Sequence, residues 1–257
     1  MPTVPGRAAV SRPSYRGGMH VEHTVTYLYV WWESPGNHES RNGAVVAVTE
    51  TRRRLAQELG VVAGFDDPVA ALEQYHTPPD LAANIVHVAD LQGDIEDELV
   101  LDLGCGTGML ALGAALRSPA RAVGVELDAD ALGTARENRR RVGARAAVDW
   151  VQGDATRLGL DPPPCTVLMN PPFGAQDGNE HADRAFLETA AAVSRVSYSV
   201  HNADSESFVE SFAADNGGEV THAFRAELEL PHRFDHHEAA SEIVDAEVFR
   251  VAWGGPG

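Results

Sequence analysis

Asn170-Pro171-Pro172-Phe173 and the earlier run Asp102-Leu103-Gly104-Cys105-Gly106-Thr107-Gly108 are the residues of this chain whose types and spacing could do chemistry, because together they suit a methyl donor and an amine to receive it. The Asn170 side-chain oxygen and the Pro171 carbonyl can both accept hydrogens from a planar amine and so turn its lone pair toward an electrophilic carbon. Two prolines stiffen the turn, and a proline nitrogen offers no competing donor. Phe173 adds a face on which a flipped base can stack. The catalysis available to such a corner is mostly alignment, drawn from effective molarity rather than from a strong base.

The glycine run supplies the other half. It follows a short apolar stretch at 99–103 and opens a helix-like stretch at 109–116, the context in which a nucleotide approaches bare backbone and a helix start. Its tight spacing differs from the longer one of dinucleotide sites. Glu126 closes the next apolar stretch and can accept from both ribose hydroxyls, with Asp128 as the competing acid. Asp154 can accept an exocyclic adenine amine, and the Ala155 N–H can meet a ring nitrogen. Alternative readings are a solvated acid at 126 and a turn-capping aspartate at 154.

The elements that must position these residues alternate. Helices are expected over 51–62 and 78–91, with an acidic turn at 93–98. Strands are expected at 99–103, 122–125, 147–151, 166–169 and 196–200, with helices at 109–116, 129–142, 183–193 and 205–215 among them. Alternation of this kind implies a parallel sheet with helices on both faces. The segments 219–230 and 243–253 read as a closing strand pair joined by a His-rich loop, an antiparallel finish. Residues 1–45 mix Gly, Pro, Ser and Arg without a sustained period. They read as a disordered tail or a non-native extension, leaving 46–257 as one domain.

Composition narrows the class. The 257 residues carry 44% hydrophobic content and a formal net charge of -18, and every one of the 20 basic residues is Arg. An acid-rich, lysine-free chain resembles the proteins of organisms living in molar salt. At about 1 M salt the Debye length falls to roughly 3 Å, so global acidity does not exclude an RNA partner. No apolar run approaches the roughly 18 to 20 residues of a membrane-spanning helix, and 27–32 is too short and aromatic for a signal core. A soluble cytoplasmic protein is expected. Cys105 and Cys165 read as packing residues of a reducing compartment. His236-His237 lacks the spaced ligands of a metal site, so no metal is expected.

The motifs resemble those of class I S-adenosylmethionine-dependent methyltransferases that act on amines. Glu73-Gln74-Tyr75-His76-Thr77-Pro78-Pro79, Asp102 to Gly108 and Asn170 to Gly174, in that order, resemble methyltransferase-like protein five and its archaeal relatives, which methylate N6 of an adenosine in small-subunit ribosomal RNA. The resemblance spans about 51–253. It implies a Rossmann-like fold with a mostly parallel seven-stranded sheet and an antiparallel C-terminal strand. It implies S-adenosylmethionine contacts from Gln74, Thr77, Asp102, Gly104, Thr107, Met109, Glu126, Asp154 and Ala155, and catalysis by Asn170, Pro171, Pro172 and Phe173. It also implies a small zinc-binding activator protein held through a sheet edge. The chain departs from the pattern at His76, where proline is common, at Glu126, where aspartate is, and at 234–238, a stretch often basic in relatives. Competing readings are a protein glutamine N5-methyltransferase, a DNA adenine methyltransferase and a non-catalytic RNA-binding ribosome assembly factor. About 80 residues after Phe173 leave no room for a separate recognition domain.

Overall fold

The computed structural model describes residues 41–159, 162–172, 182–231 and 241–254. Six helices and seven strands follow one another there: α1 (Arg41–Leu59), α2 (Pro79–Leu91), β1 (Leu99–Leu103), α3 (Met109–Ala115), β2 (Arg121–Glu126), α4 (Ala129–Val142), β3 (Val148–Gln152), β4 (Cys165–Met169), α5 (Ala182–Val193), β5 (Ser194–Asn202), α6 (Glu206–Asp215), β6 (Gly218–Pro231) and β7 (Ser241–Trp253). A single 3-10 turn at Ala70–Leu72 sits between α1 and α2.

The strands form one sheet in the order β3-β2-β1-β4-β5-β7-β6. β7 pairs antiparallel with both β5 and β6 and the remaining pairs are parallel, as the alternating pattern required. Side chains on a strand alternate between faces, and the core divides accordingly. Val100, Leu168 and Val248 join α1, α2 and α3 on one face. Leu101, Leu103, Val167, Met169, Phe249 and Val251 join α5 and α6 on the other. The sheet reverses its winding between β1 and β4, and the crevice beyond the carboxyl ends of those strands is where an open α/β sheet takes its ligand.

α1 starts at Arg41, inside the stretch that composition marked as tail, and ends at Leu59 rather than 62. The Gly60 N–H still makes the helical bond to the Ala56 carbonyl, and the Val62 N–H then donates to Leu59 in a turn that ends the helix there. The opposite end of the sheet is held by Asp94, 1% exposed in the turn before β1. Its carboxylate accepts from the Tyr198 hydroxyl at 2.7 Å, from Arg250 Nε at 2.8 Å and from Arg195 at 3.4 Å. One carboxylate thereby joins the turn before β1 to β5 and β7.

Candidate active site

β1, β2, β3 and β4 end level with one another: Leu103 pairs with Val125 and Met169, and Glu126 with Gln152. The loops that leave those ends, together with the segment before α2, enclose one cavity. Gln74, Thr77, Gly104, Thr107, Met109, Glu126, Asp154, Ala155, Asn170 and Pro172 all line it. These positions run from Gln74 to Pro172 and meet only because the parallel register brings the strand ends together.

Two of the expected residues that the structure describes, Asp102 and Pro171, do not line the cavity. Asp102 is 2% exposed, and its Oδ2 accepts from the Ala111 N–H at 2.8 Å, so it caps the start of α3 from within the core. Burial pushes its carboxyl up to about 7, against the bond from Ala111 that favours the charged form; the Glu126 carboxylate adds to the rise. Pro171 is buried outside the cavity lining. Phe173 lies outside the described residues, as do 234–238.

The glycine run is shaped by the packing around it. Gly106 and Gly108 adopt φ of 52° and 92°, the left-handed region that glycine enters without penalty. A Cβ at Gly106 would lie 2.7 Å from the Phe65 ring, and one at Gly108 would lie 2.6 Å from the Trp150 ring. Two aromatic side chains therefore occupy the space that the glycines leave. The Gly104 and Cys105 N–H groups both donate to the Val125 carbonyl, which fixes the run against the end of β2.

Of the two acids after β2, Glu126 forms cavity wall. Its Oε2 accepts from the Gly106 N–H at 2.8 Å and its Oε1 from the Asp128 N–H at 3.0 Å, so the carboxylate is held with further lone pairs to offer. Asp128 is engaged elsewhere. It accepts from Gln74 Nε2 at 2.8 Å, which holds its carboxyl below the usual range, and from the Asp130 N–H at the start of α4. Gln74 also accepts from the Val69 N–H at 2.7 Å, so this one side chain ties its own loop across the crevice. Asp154 is held by Thr156, whose hydroxyl and N–H both donate to Oδ1 and lower its carboxyl pKa.

Asn170 faces these acids from the end of β4. Its Nδ2 donates to Thr77 Oγ1 at 3.0 Å, while Oδ1 is buried with no hydrogen-bond partner among the described residues. An unpaired buried acceptor costs stability and is retained where something else is to meet it. His76, the departure at the lip, packs against Gly64; burial lowers its pKa. Sequence reasoning missed Phe65 and Phe186, which close the cavity with their rings. Phe186 follows the apolar period of α5, but no local signal marks Phe65, which acts through a glycine far along the chain. The arrangement offers anchored oxygen acceptors on one side, a free amide oxygen on the other, and apolar walls between.

Comparison with known proteins gives this geometry its setting. Residues 78–196 match the methyltransferase small domain. The chain is 37% identical over 213 residues to the rRNA N(6)-adenosine-methyltransferase Mettl5 of Drosophila melanogaster, covering 79% of this chain and 96% of that protein. It is 32% identical over 210 residues to an uncharacterised protein of Methanocaldococcus jannaschii, covering 78% and 93%. The crystal structure of a candidate RNA methyltransferase from Pyrococcus horikoshii shares 34% identity with a TM-score of 0.71, over 80% of this chain and 98% of that one.

Proposed function

The chain belongs to the Mettl5 family of rRNA N(6)-adenosine-methyltransferases, and we propose from this that it methylates N6 of an adenosine in small-subunit ribosomal RNA with S-adenosylmethionine as donor. The observation that carries the reading is the Asn170 Oδ1, buried at the crevice without a partner among the described residues while Thr77 holds the other end of the amide.

The cavity fits the donor in the chemistry of its walls. Glu126, fixed by two backbone N–H groups, would hold the ribose hydroxyls, and the Asp154-Ala155 pair would offer an acceptor and a donor to the adenine edge. Carboxylates at Glu126 and Asp154 also favour a cation in the crevice. When bound, S-adenosylmethionine supplies a methyl group made electrophilic by its positively charged sulfur. Asn170 Oδ1 would accept one hydrogen of the adenine amine and so direct its lone pair into the crevice; the backbone carbonyl of Pro171, whose ring stays outside the cavity lining, is the acceptor this reading assigns to the other. Phe173, outside the described residues, is the side chain this reading assigns to stacking on the flipped base. The methylated amine is acidic enough to pass its extra proton to water, so the site requires orientation above all.

Two further parts belong to this reading. The RNA is bound in the cytoplasm under salt high enough to screen the net charge of -18; among the described residues no helix is long and apolar enough to cross a membrane. A small zinc-binding activator adds to an edge of the sheet, whose outer strands are β3 and β6; a tagged chain should then retain such a protein through purification.

The deciding experiment is mass spectrometry of nucleosides from purified small-subunit RNA, in cells with and without the gene and with an Asn170→Ala copy. Loss of N6-methyladenosine restored by the wild-type copy alone supports the reaction and the substrate together. Unchanged RNA would redirect the reading to a glutamine amide, to DNA, or to a binding role without turnover.

A further inference from the structure

The face of β5 turned toward α5 and α6 carries Ser197, Ser199 and His201 at alternate positions, each no more than 1% exposed. The neighbouring strands present Met169, Phe249 and Val251 to the same layer. Buried polar side chains cost stability unless they are paired, and here each is. Ser197 accepts from Trp253 Nε1 at 3.0 Å. His201 uses both ring nitrogens, with Nε2 2.8 Å from Ser199 Oγ and Nδ1 3.4 Å from Asp183 Oδ2. A carboxylate facing Nδ1 places the ring proton there, so Nδ1 donates to Asp183 and Nε2 accepts the Ser199 O–H.

The two ends of this chain of bonds meet the site described above. Asp183 stands in the first turn of α5. Ser199 pairs with Met169, the residue before Asn170. One turn beyond Asp183, Phe186 lines the crevice, its ring 3.0 Å from where a Cβ on Gly104 would sit. An aliphatic side chain at 201 would bury well but would leave α5 free to slide along the strand; a directional bond at each nitrogen removes that freedom.

We propose that Ser199, His201 and Asp183 form a positioning relay for the acceptor half of the crevice, which sets the first turn of α5, and with it Phe186, in the cavity wall that Asn170 also lines. The proposal rests on the methyl-transfer reading of the site. Ser199 is fully buried and bonded, so the trio is not a nucleophile and its base. Glu126 and Asp154 stand at the ends of β2 and β3, separated from β5 by β1 and β4, and Gly104, the donor-side residue beside Phe186, is held by its own N–H bond to Val125, so the relay should govern the acceptor more than the donor.

The test uses the full chain with small-subunit RNA as acceptor and S-adenosylmethionine binding measured separately by calorimetry. His201→Ala should lower kcat by about tenfold or more, in line with the cost of a small misplacement, while the Kd for S-adenosylmethionine moves by less than about threefold. His201→Asn, which keeps an N–H in the place of Nδ1, should recover most of that loss. Asp183→Ala changes a part-exposed residue that the fold tolerates more readily; it should match His201→Ala, with the double variant no worse than either single. Wild-type kcat in both single variants, losses that multiply in the double, or a donor Kd that weakens in step with kcat would each overturn the relay. A wild-type chain that methylates no RNA overturns the reading of the site itself, and the relay falls with it.

Discussion

Asn170 Nδ2 donates to Thr77 Oγ1 across 3.0 Å, joining the end of β4 to the segment that leads into α2, 93 residues earlier in the chain. The bond decides which end of the amide is spoken for. With the NH2 group occupied, Oδ1 is the end left to meet an amine. A threonine that the family resemblance placed at the donor therefore also orients the acceptor's partner.

Thr77→Val should accordingly cost about tenfold in kcat, the equivalent of one neutral hydrogen bond of about 1 to 1.5 kcal/mol. Thr77→Ser, which keeps the hydroxyl, should stay within about threefold of the wild type. Single-turnover rates at saturating S-adenosylmethionine check this. Equal rates in all three proteins would remove Thr77 from the orientation of Asn170.

A second expectation concerns the packing beneath the glycine run. A Cβ on Gly124 in β2 would lie 2.6 Å from the Trp150 ring and 2.7 Å from the Cys105 sulfur. Gly124→Ala should destabilise the fold by about 1 to 3 kcal/mol, the usual cost of overpacking. Adding Trp150→Leu should return part of that loss, because the clash with the ring goes. Urea midpoints for the wild type, both single variants and the double decide the matter, and strictly additive effects would contradict a shared contact.

Asp102 gives a pH signature. Its carboxyl is raised in the fold from 3.8 to about 7, so between those values the folded state holds more protons than the unfolded one. Stability from this group is complete below the unfolded value and is lost as pH rises through the folded value. Asp102→Asn keeps an acceptor for the Ala111 N–H and removes the titration. Relative to the wild type, the variant should gain stability steadily from pH 5 to pH 7 in denaturant unfolding; a constant difference would mean that Asp102 is already charged in the fold.

The Asp94 cluster should be unforgiving. Arg250→Met leaves a carboxylate with 1% exposure holding the Tyr198 hydroxyl and the longer contact to Arg195. Breaking a buried pair from one side costs about 3 kcal/mol or more. Adding Asp94→Asn removes the stranded charge and should restore part of the midpoint in urea. A single Arg250→Met variant of wild-type stability would show that Tyr198 and Arg195 suffice.

Much of this molecule was legible in its sequence because it depends on short-range patterns. The alternation of apolar stretches gave the strands and helices. The run at 102–108 and the turn at 170–172 marked segments that meet at the crevice, since a close backbone approach and a rigid proline corner are local properties. Glu126 was legible as an acid at the end of a strand, with Asp128 as its competitor; the fold sets Glu126 in the cavity wall and joins Asp128 to Gln74, which reaches over from another segment. The same holds for Asp102, which the run contains but the core turns inward, and for Phe65 and Trp150, whose rings fill the space beside Gly106 and Gly108. The pairing of β7 between β5 and β6, the orientation of Asn170 by Thr77 and the bond from His201 to Asp183 likewise join distant parts of the chain. Sequence spacing constrains what neighbours along the backbone can do; which side chains meet across the sheet is fixed by strand order and register, and these are set only when the whole core packs.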